Sequence, residues 1–151
     1  VEALQAGQPL PDKAIAITFD DGYANILTNA HPVMRQYDFP YTVFINPPAI
    51  GVAGNQLTWD EVSMMDAQGA DFANHTLDHL HLLNRLTSES DEAWLARVIT
   101  NIEEAESQLA DKVGYSLKYI AYPFGEFNTG SHEIMLLFDF TKKQLKSPRF
   151  F

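Results

Sequence analysis

Four short β-rich apolar runs, separated by helical stretches and never by a hairpin turn, constrain this chain more than any other feature. Residues 14–19 (Ala-Ile-Ala-Ile-Thr-Phe) form the first run and end at Asp20-Asp21-Gly22. Residues 41–45 (Tyr-Thr-Val-Phe-Ile) form the second and end at Asn46-Pro47-Pro48, while 71–74 and 119–121 supply the third and fourth. Runs this apolar suit strands buried on both faces, as in parallel sheets. Between the first two lies a helical stretch from about Tyr23 to Tyr37, with Ile26, Leu27, Val33 and Met34 at helix-like spacing. His31-Pro32 either kinks it or starts a second helix. Thr58 caps a short helix, Glu61 completes a capping box and Gly69 stops it. Ser88 is expected to cap the longest helix, residues 89–110. Its apolar stripe (Trp94, Leu95, Val98, Ile102, Ala105, Leu109) lies opposite Glu103, Glu104 and Glu106, which read as a solvated face. Strands joined through helices require right-handed crossovers, so the expected class is α/β with a parallel sheet or barrel. In such folds the functional groups gather on loops at the C-terminal strand ends. That rule selects Asp20-Asp21, residues 75–79 and residues 122–128.

A length of 151 residues with 46% hydrophobic and 20% charged residues allows one core, so a single domain over 1–151 is expected. The net charge of −10 repels phosphate backbones and argues against a nucleic-acid partner. Lys142, Lys143, Lys146 and Arg149 crowd the end of the chain, and residues 131–151 read as a separate, atypical tail. The absence of cysteine removes disulfide frameworks, thiolate metal sites and cysteine nucleophiles. No apolar run approaches the ~18 residues of a transmembrane segment. Val1-Glu2-Ala3-Leu4 carries neither an initiator Met nor a basic leader, so a mature product or an excised fragment is expected.

Adjacent carboxylates after a buried strand raise one another's pKa unless a cation neutralises them. Alone, Asp20-Asp21-Gly22 also reads as a turn and helix cap. His75-Thr-Leu-Asp-His79 adds two imidazoles four residues apart, which a turn of helix would bring to one side, able to share an ion. An Asp pair at one strand end and a His pair at another together point to a metal site. One carboxylate and two imidazoles leave a coordination position for water, as catalytic sites do. One aspartate suffices for the metal, which leaves Asp20 free to act as a base. His81 reads as a neighbour of the site rather than a ligand, and His31 as a surface residue. The aromatics near the motifs, Tyr23, Trp59, Tyr122 and Phe127, offer either sugar-stacking faces or core packing; the second reading is favoured for Trp59, and Tyr122 and Phe127 stay open between the two.

These residues resemble the polysaccharide deacetylases of carbohydrate esterase family 4, the NodB-homology domain. Thr18-Phe19-Asp20-Asp21-Gly22 is similar to the family's first motif, His75-Thr76-Leu77-Asp78-His79 to its second, and Tyr122-Pro123-Phe124-Gly125 to its third. The resemblance implies that Asp20 is the catalytic base and that Asp21, His75 and His79 hold a divalent metal, zinc foremost, with cobalt or nickel also acceptable to this donor set. It implies an oxyanion donor at the backbone N–H of Phe124 and a substrate-binding wall of Tyr122, Pro123 and Phe127. The string from Ala121 to Asn128 is closest to members acting on poly-N-acetylglucosamine. The implied fold is a distorted parallel (β/α) barrel. The implied activity is metal-dependent removal of N-acetyl groups from N-acetylated polysaccharide, releasing acetate, outside the cytoplasm in the periplasm or at the cell surface.

The resemblance covers about residues 14–128 and departs from the family in two respects. Ala121 stands where many relatives carry an Arg directed at the catalytic Asp. The family's late motifs, including a Leu-x-His whose His acts as general acid, have no counterpart after Asn128, and His132 is the only late histidine. The barrel is therefore expected to be incomplete at its C-terminus, with an exposed sheet edge. Two alternatives accompany the deacetylase reading: a related metal-dependent amidohydrolase acting on a non-polysaccharide substrate, and a non-catalytic metal- or glycan-binding remnant.

Overall fold

A computed structural model describes residues 6–52 and 54–126, together with the backbone of 136–137. The sheet contains β1 (Thr18–Phe19), β2 (Tyr41–Ile45), β3 (Ala70–Asn74), β4 (Tyr119–Ile120) and β5 (Leu136–Leu137), in that spatial order. β1 to β4 are parallel, with Thr18 opposite Thr42, Tyr41 opposite Ala70 and Asn74 opposite Ile120. Helices α1 (His31–Gln36), α2 (Trp59–Ala67) and α3 (Asp91–Val113) occupy the successive crossovers. The expected α/β class is thus present, as four parallel strands curled into half a barrel. β5 is an element the pattern did not suggest. It runs antiparallel to β4, pairing Tyr119 with Leu137 and Ile120 with Leu136, and so engages the backbone groups of an otherwise open edge.

The alternation of β2 divides the core. Val43 and Ile45 join Phe72, Val62, Met65 and Leu109 on one face, while Phe44 meets Ala73 and Tyr119 on the other. Each large side chain fully removed from water contributes about 1.5–3 kcal/mol, so β2 and β3 are the firm centre of the sheet.

The first strand is shorter than its composition suggests. Only Thr18 and Phe19 pair, the ladder begins where Thr42 N–H donates to Ile17 O (3.1 Å), and Ile15 is 83% exposed. β1 stands at the sheet edge, where apolar composition alone cannot hold a strand. The stretch after it also splits. Ile26–Ala30 forms a π-helical turn, in which His31 N–H donates to Ile26 O, before α1 begins. Pro32 has no N–H and its ring crowds the carbonyl four residues back, so the turn widens there.

The α2 capping box forms as expected: Glu61 N–H donates to Thr58 Oγ1 (3.2 Å) and Thr58 N–H to Glu61 Oε2 (2.8 Å). Trp59 packs partly into the core beneath Lys112. Ser90, not Ser88, caps α3 through Ala93 N–H (3.2 Å). Ser88 lies at φ 63, whereas Ser90 has the extended backbone an N-cap requires. Glu103 and Glu104 are exposed, but Glu106 is buried at 7%. Its carboxylate accepts from Asn74 Nδ2 (3.0 Å) and from Ser116 Oγ. His31 is likewise an interior residue, 5% exposed, with Nδ1 2.5 Å from the Tyr41 hydroxyl and Nε2 2.9 Å from Gln68 Oε1. His31 is the one buried residue of this short helix, and these two partners satisfy its ring.

Candidate active site

At the end of β1 the backbone turns sharply through Asp21 (φ 68) and Gly22 (φ 67). Glycine is required here for space as well as conformation, because a Cβ would sit 2.9 Å from both Ile45 Cγ2 and Ile50 Cδ1. The turn is pinned from outside the sheet, where Leu57 N–H donates to Gly22 O (2.9 Å) and Ala24 N–H to Asn55 O (2.6 Å). Asp20 is exposed, and Asp21 turns its carboxylate toward the end of β3.

The end of β3 continues into residues 75–79 as a loop, not the turn of helix the spacing suggested; Thr76 (φ 70) and His79 (φ 51) both lie in the left-handed region. Polar side chains hold this shape. Asn46 Nδ2 donates to His75 O (2.6 Å) and Thr76 O (2.9 Å), Asn74 Oδ1 accepts from Thr76 N–H (2.8 Å), and Asn101 Oδ1 accepts from Leu77 N–H (2.9 Å). His75 is 2% exposed, and its N–H continues the ladder by donating to Ile45 O (3.1 Å).

Asp21 Oδ1 lies 3.4 Å from His75 Nε2 and 3.2 Å from His79 Nε2, and the three ligand atoms all fall within 4.8 Å of one another. Ligand atoms sharing a tetrahedral cation at ~2.0–2.1 Å are separated by roughly 3.3 Å, so these spacings fit a metal. Burial pushes the His75 imidazole below its usual pKa, against the raising effects of the Asp20 charge and the Ala121 carbonyl. Its Nδ1–H donates to Ala121 O (3.0 Å), so the neutral ring turns the Nε2 lone pair toward a carboxylate oxygen. Two acceptors facing each other call for a cation between them.

The third segment closes over the histidines. Pro123–Gly125 is a short 3-10 turn in which Phe124 has φ 59 and ψ 9, and the residue is 58% exposed. The ring meets His79 edge-on at 4.6 Å and stacks flat on His81 at 3.8 Å, and His81 Nδ1 is 2.6 Å from Glu126 Oε1. Pro123 is fully buried, which makes it a support of the loop rather than a face offered to substrate. Tyr122 is half-buried, burial raises its pKa, and its enclosed hydroxyl has no partner among the described residues. Phe127 and His132 lie outside the described residues.

The structure thus gathers Asp21, His75, His79 and Phe124, with Asp20 adjoining. Sequence reasoning missed the asparagines and Glu106 that shape the histidine loop. Two signals were present. Asn46 and Asn74 occupy C-terminal strand ends, and Asn101 interrupts the apolar stripe of α3.

The chain belongs to the polysaccharide deacetylase family, whose model matches residues 7–142. It is 30% identical to Bacillus subtilis (strain 168) YxkH, a polysaccharide deacetylase by name, over 117 residues, 78% of this chain and 39% of that protein. It is also 30% identical to the poly-beta-1,6-N-acetyl-D-glucosamine N-deacetylase of Staphylococcus aureus (strain MRSA252), over 78% of this chain and 42% of that enzyme. The chain therefore spans about two fifths of the length of these curated relatives. In three dimensions it is similar to Streptococcus pyogenes deacetylase PplD, solved in complex with acetate, with a TM-score of 0.71 and 25% identity over 84% of this chain and 53% of that one. IcaB from Ammonifex degensii shares the fold at a TM-score of 0.67 and 24% identity, over 80% of this chain and 54% of that one.

Proposed function

We propose that this chain carries the metal-binding half of an N-deacetylase active site, which removes acetyl groups from N-acetylglucosamine units of a polysaccharide. The observation that carries the reading is the convergence of Asp21, His75 and His79 from two strand ends at metal-ligand spacing. A divalent cation held by Asp21 Oδ1, His75 Nε2 and His79 Nε2, zinc foremost and cobalt or nickel acceptable, supplies Lewis acidity toward the acetyl carbonyl and the attacking water.

The remaining chemistry belongs to the chain. Asp20 takes the proton of the attacking water as general base; its exposed place at the strand end leaves it open to solvent and substrate. The Phe124 N–H donates to the developing oxyanion, a contribution commonly worth ~3 kcal/mol per donor. The left-handed turn at Phe124 holds that backbone against the histidines and leaves the ring as an apolar surface for a sugar. Buried Pro123 supports the turn, and Tyr122 and Phe127 are the residues assigned to bind the sugar. Attack joins the water oxygen to the acetyl carbon, and collapse breaks the C–N bond as the nitrogen takes up the proton held by Asp20, which releases acetate and a free amine. A polysaccharide substrate places the reaction outside the cytoplasm. Among the described residues no helix is long and apolar enough to cross a membrane.

Acetate release from β-1,6- and β-1,4-linked N-acetylglucosamine oligomers, with zinc or cobalt added, tests the reading. Metal-dependent release that is abolished by Asp20→Asn is expected. Cobalt binding through the histidines without release from either oligomer would overturn the catalytic assignment.

A further inference from the structure

We infer that Asn101, on the inner side of α3, is a positioning residue that sets His79 relative to His75 and thereby the affinity of the site for its cation. The inference rests on reading Asp21, His75 and His79 as a metal centre. The two histidines are held very differently. His75 is tied to the sheet through its N–H, its carbonyl and its Nδ1. His79 stands outside the ladder, with its side chain one-third exposed and its backbone at φ 51. No helix joins them, so the backbone of His79 is placed through residues 76–78, while its ring meets Phe124 edge-on.

Asn101 grips that connection. Its Oδ1 accepts from Leu77 N–H (2.9 Å) while its Nδ2 donates to Asp78 Oδ2 (3.0 Å), so one amide holds the backbone of one residue and the side chain of the next. The other end of the connection is fixed by Asn74, whose Oδ1 accepts from Thr76 N–H (2.8 Å) and whose Nδ2 is oriented by Ile102 O and Glu106. Non-glycine residues in the left-handed region relax unless their surroundings over-determine them, and Thr76 and His79 are two such residues within this loop. Asn101 is buried within the apolar stripe of α3, between Val98 and Ile102 in sequence. A buried amide is tolerated there because both of its polar ends are used, and both are used on the loop.

Cobalt titration followed by visible absorption, with a thermal melt for each variant, tests the inference. Asn101→Ala is expected to weaken cobalt binding about 10- to 100-fold, the usual consequence of losing a group that orients a metal ligand. Tyr115→Phe serves as the control. It removes a hydroxyl that accepts from Phe72 N–H (3.0 Å) and donates to Asp66 (2.6 Å), away from the loop, and is expected to lower the melting temperature without changing cobalt affinity. Asn101→Asp sets two carboxylates against each other. Pairing it with Asp78→Asn restores a donor and acceptor, so the double variant is expected to regain affinity that the single one lacks; this pair decides the matter should Asn101→Ala fail to fold. Wild-type affinity in Asn101→Ala, equal weakening in Tyr115→Phe, or no rescue in the double variant overturns the inference. A wild-type chain that binds no cobalt overturns the metal reading itself and the inference with it.

Discussion

The two strand ends that meet at the candidate site are built in opposite ways. The end of β3 is interior: Asn74, His75 and Thr76 are buried, and their backbone is bonded to β2, to the chain after β4 and to the side chain of Asn46. The end of β1 is peripheral: a two-residue strand at the sheet edge, an exposed Asp20, and a turn held by one glycine and the 55–57 segment. A site of this kind has a rigid imidazole half, which fixes where the ion sits, and a carboxylate half on a turn. The imidazole half draws on the core for its position, whereas the carboxylate half draws on backbone conformation. The same loss of a metal ligand should therefore have unequal consequences for the fold.

The largest effect is expected from His75→Ala, which removes a buried ring and leaves Ala121 O without its donor. Cobalt binding is lost and stability falls by roughly 2–4 kcal/mol, measurable by denaturant titration. On the β1 side, Gly22→Ala is expected to cost about 2–3 kcal/mol, because the new methyl meets Ile45 and Ile50 at a positive φ. If it proves neutral, the turn is looser than the contrast requires. Glu106→Ala, which strips the acceptor from Asn74 and Ser116, should cost about 1–2 kcal/mol in the same denaturant titration. Asp21→Asn is the counterpart of His75→Ala: cobalt binding is lost, yet stability stays within about 0.5 kcal/mol, since asparagine accepts the left-handed turn and the side chain is partly exposed. A large drop in its melting temperature would erase the distinction between the two ends.

The smallest effect lies away from both. Arg97, through two short bonds, holds the Glu89 carboxyl down at about 2, below the usual range. That contact stabilises the start of α3 above the ordinary carboxylate range near 4.5, and the contribution disappears as pH falls from there toward 2. A melt series of wild type and Glu89→Gln over this range should converge at the acid end.

Legibility in the sequence followed locality. The α2 capping box, β2 and the three site motifs are each contained within a few neighbouring residues, and each occupies the place that pattern assigned. The misread residues depend on distant partners. His31 becomes interior because Tyr41 and Gln68 reach it. Glu106 leaves the solvated face because Asn74 of β3 and Ser116 of the loop before β4 meet it. The cap of α3 moved from Ser88 to Ser90 because Ser88 takes a left-handed backbone that no local pattern signals.

The order of strands and helices, and the donor types at their ends, were determined by the sequence by itself, since period and donor chemistry are properties of adjacent residues. Tertiary structure decided that the Asp21 carboxylate faces the His75 lone pair, that the histidine loop is not helical, and that an asparagine on α3 grips it. Those outcomes depend on which groups lose water together and must find partners there, and burial brings together residues that the sequence keeps far apart.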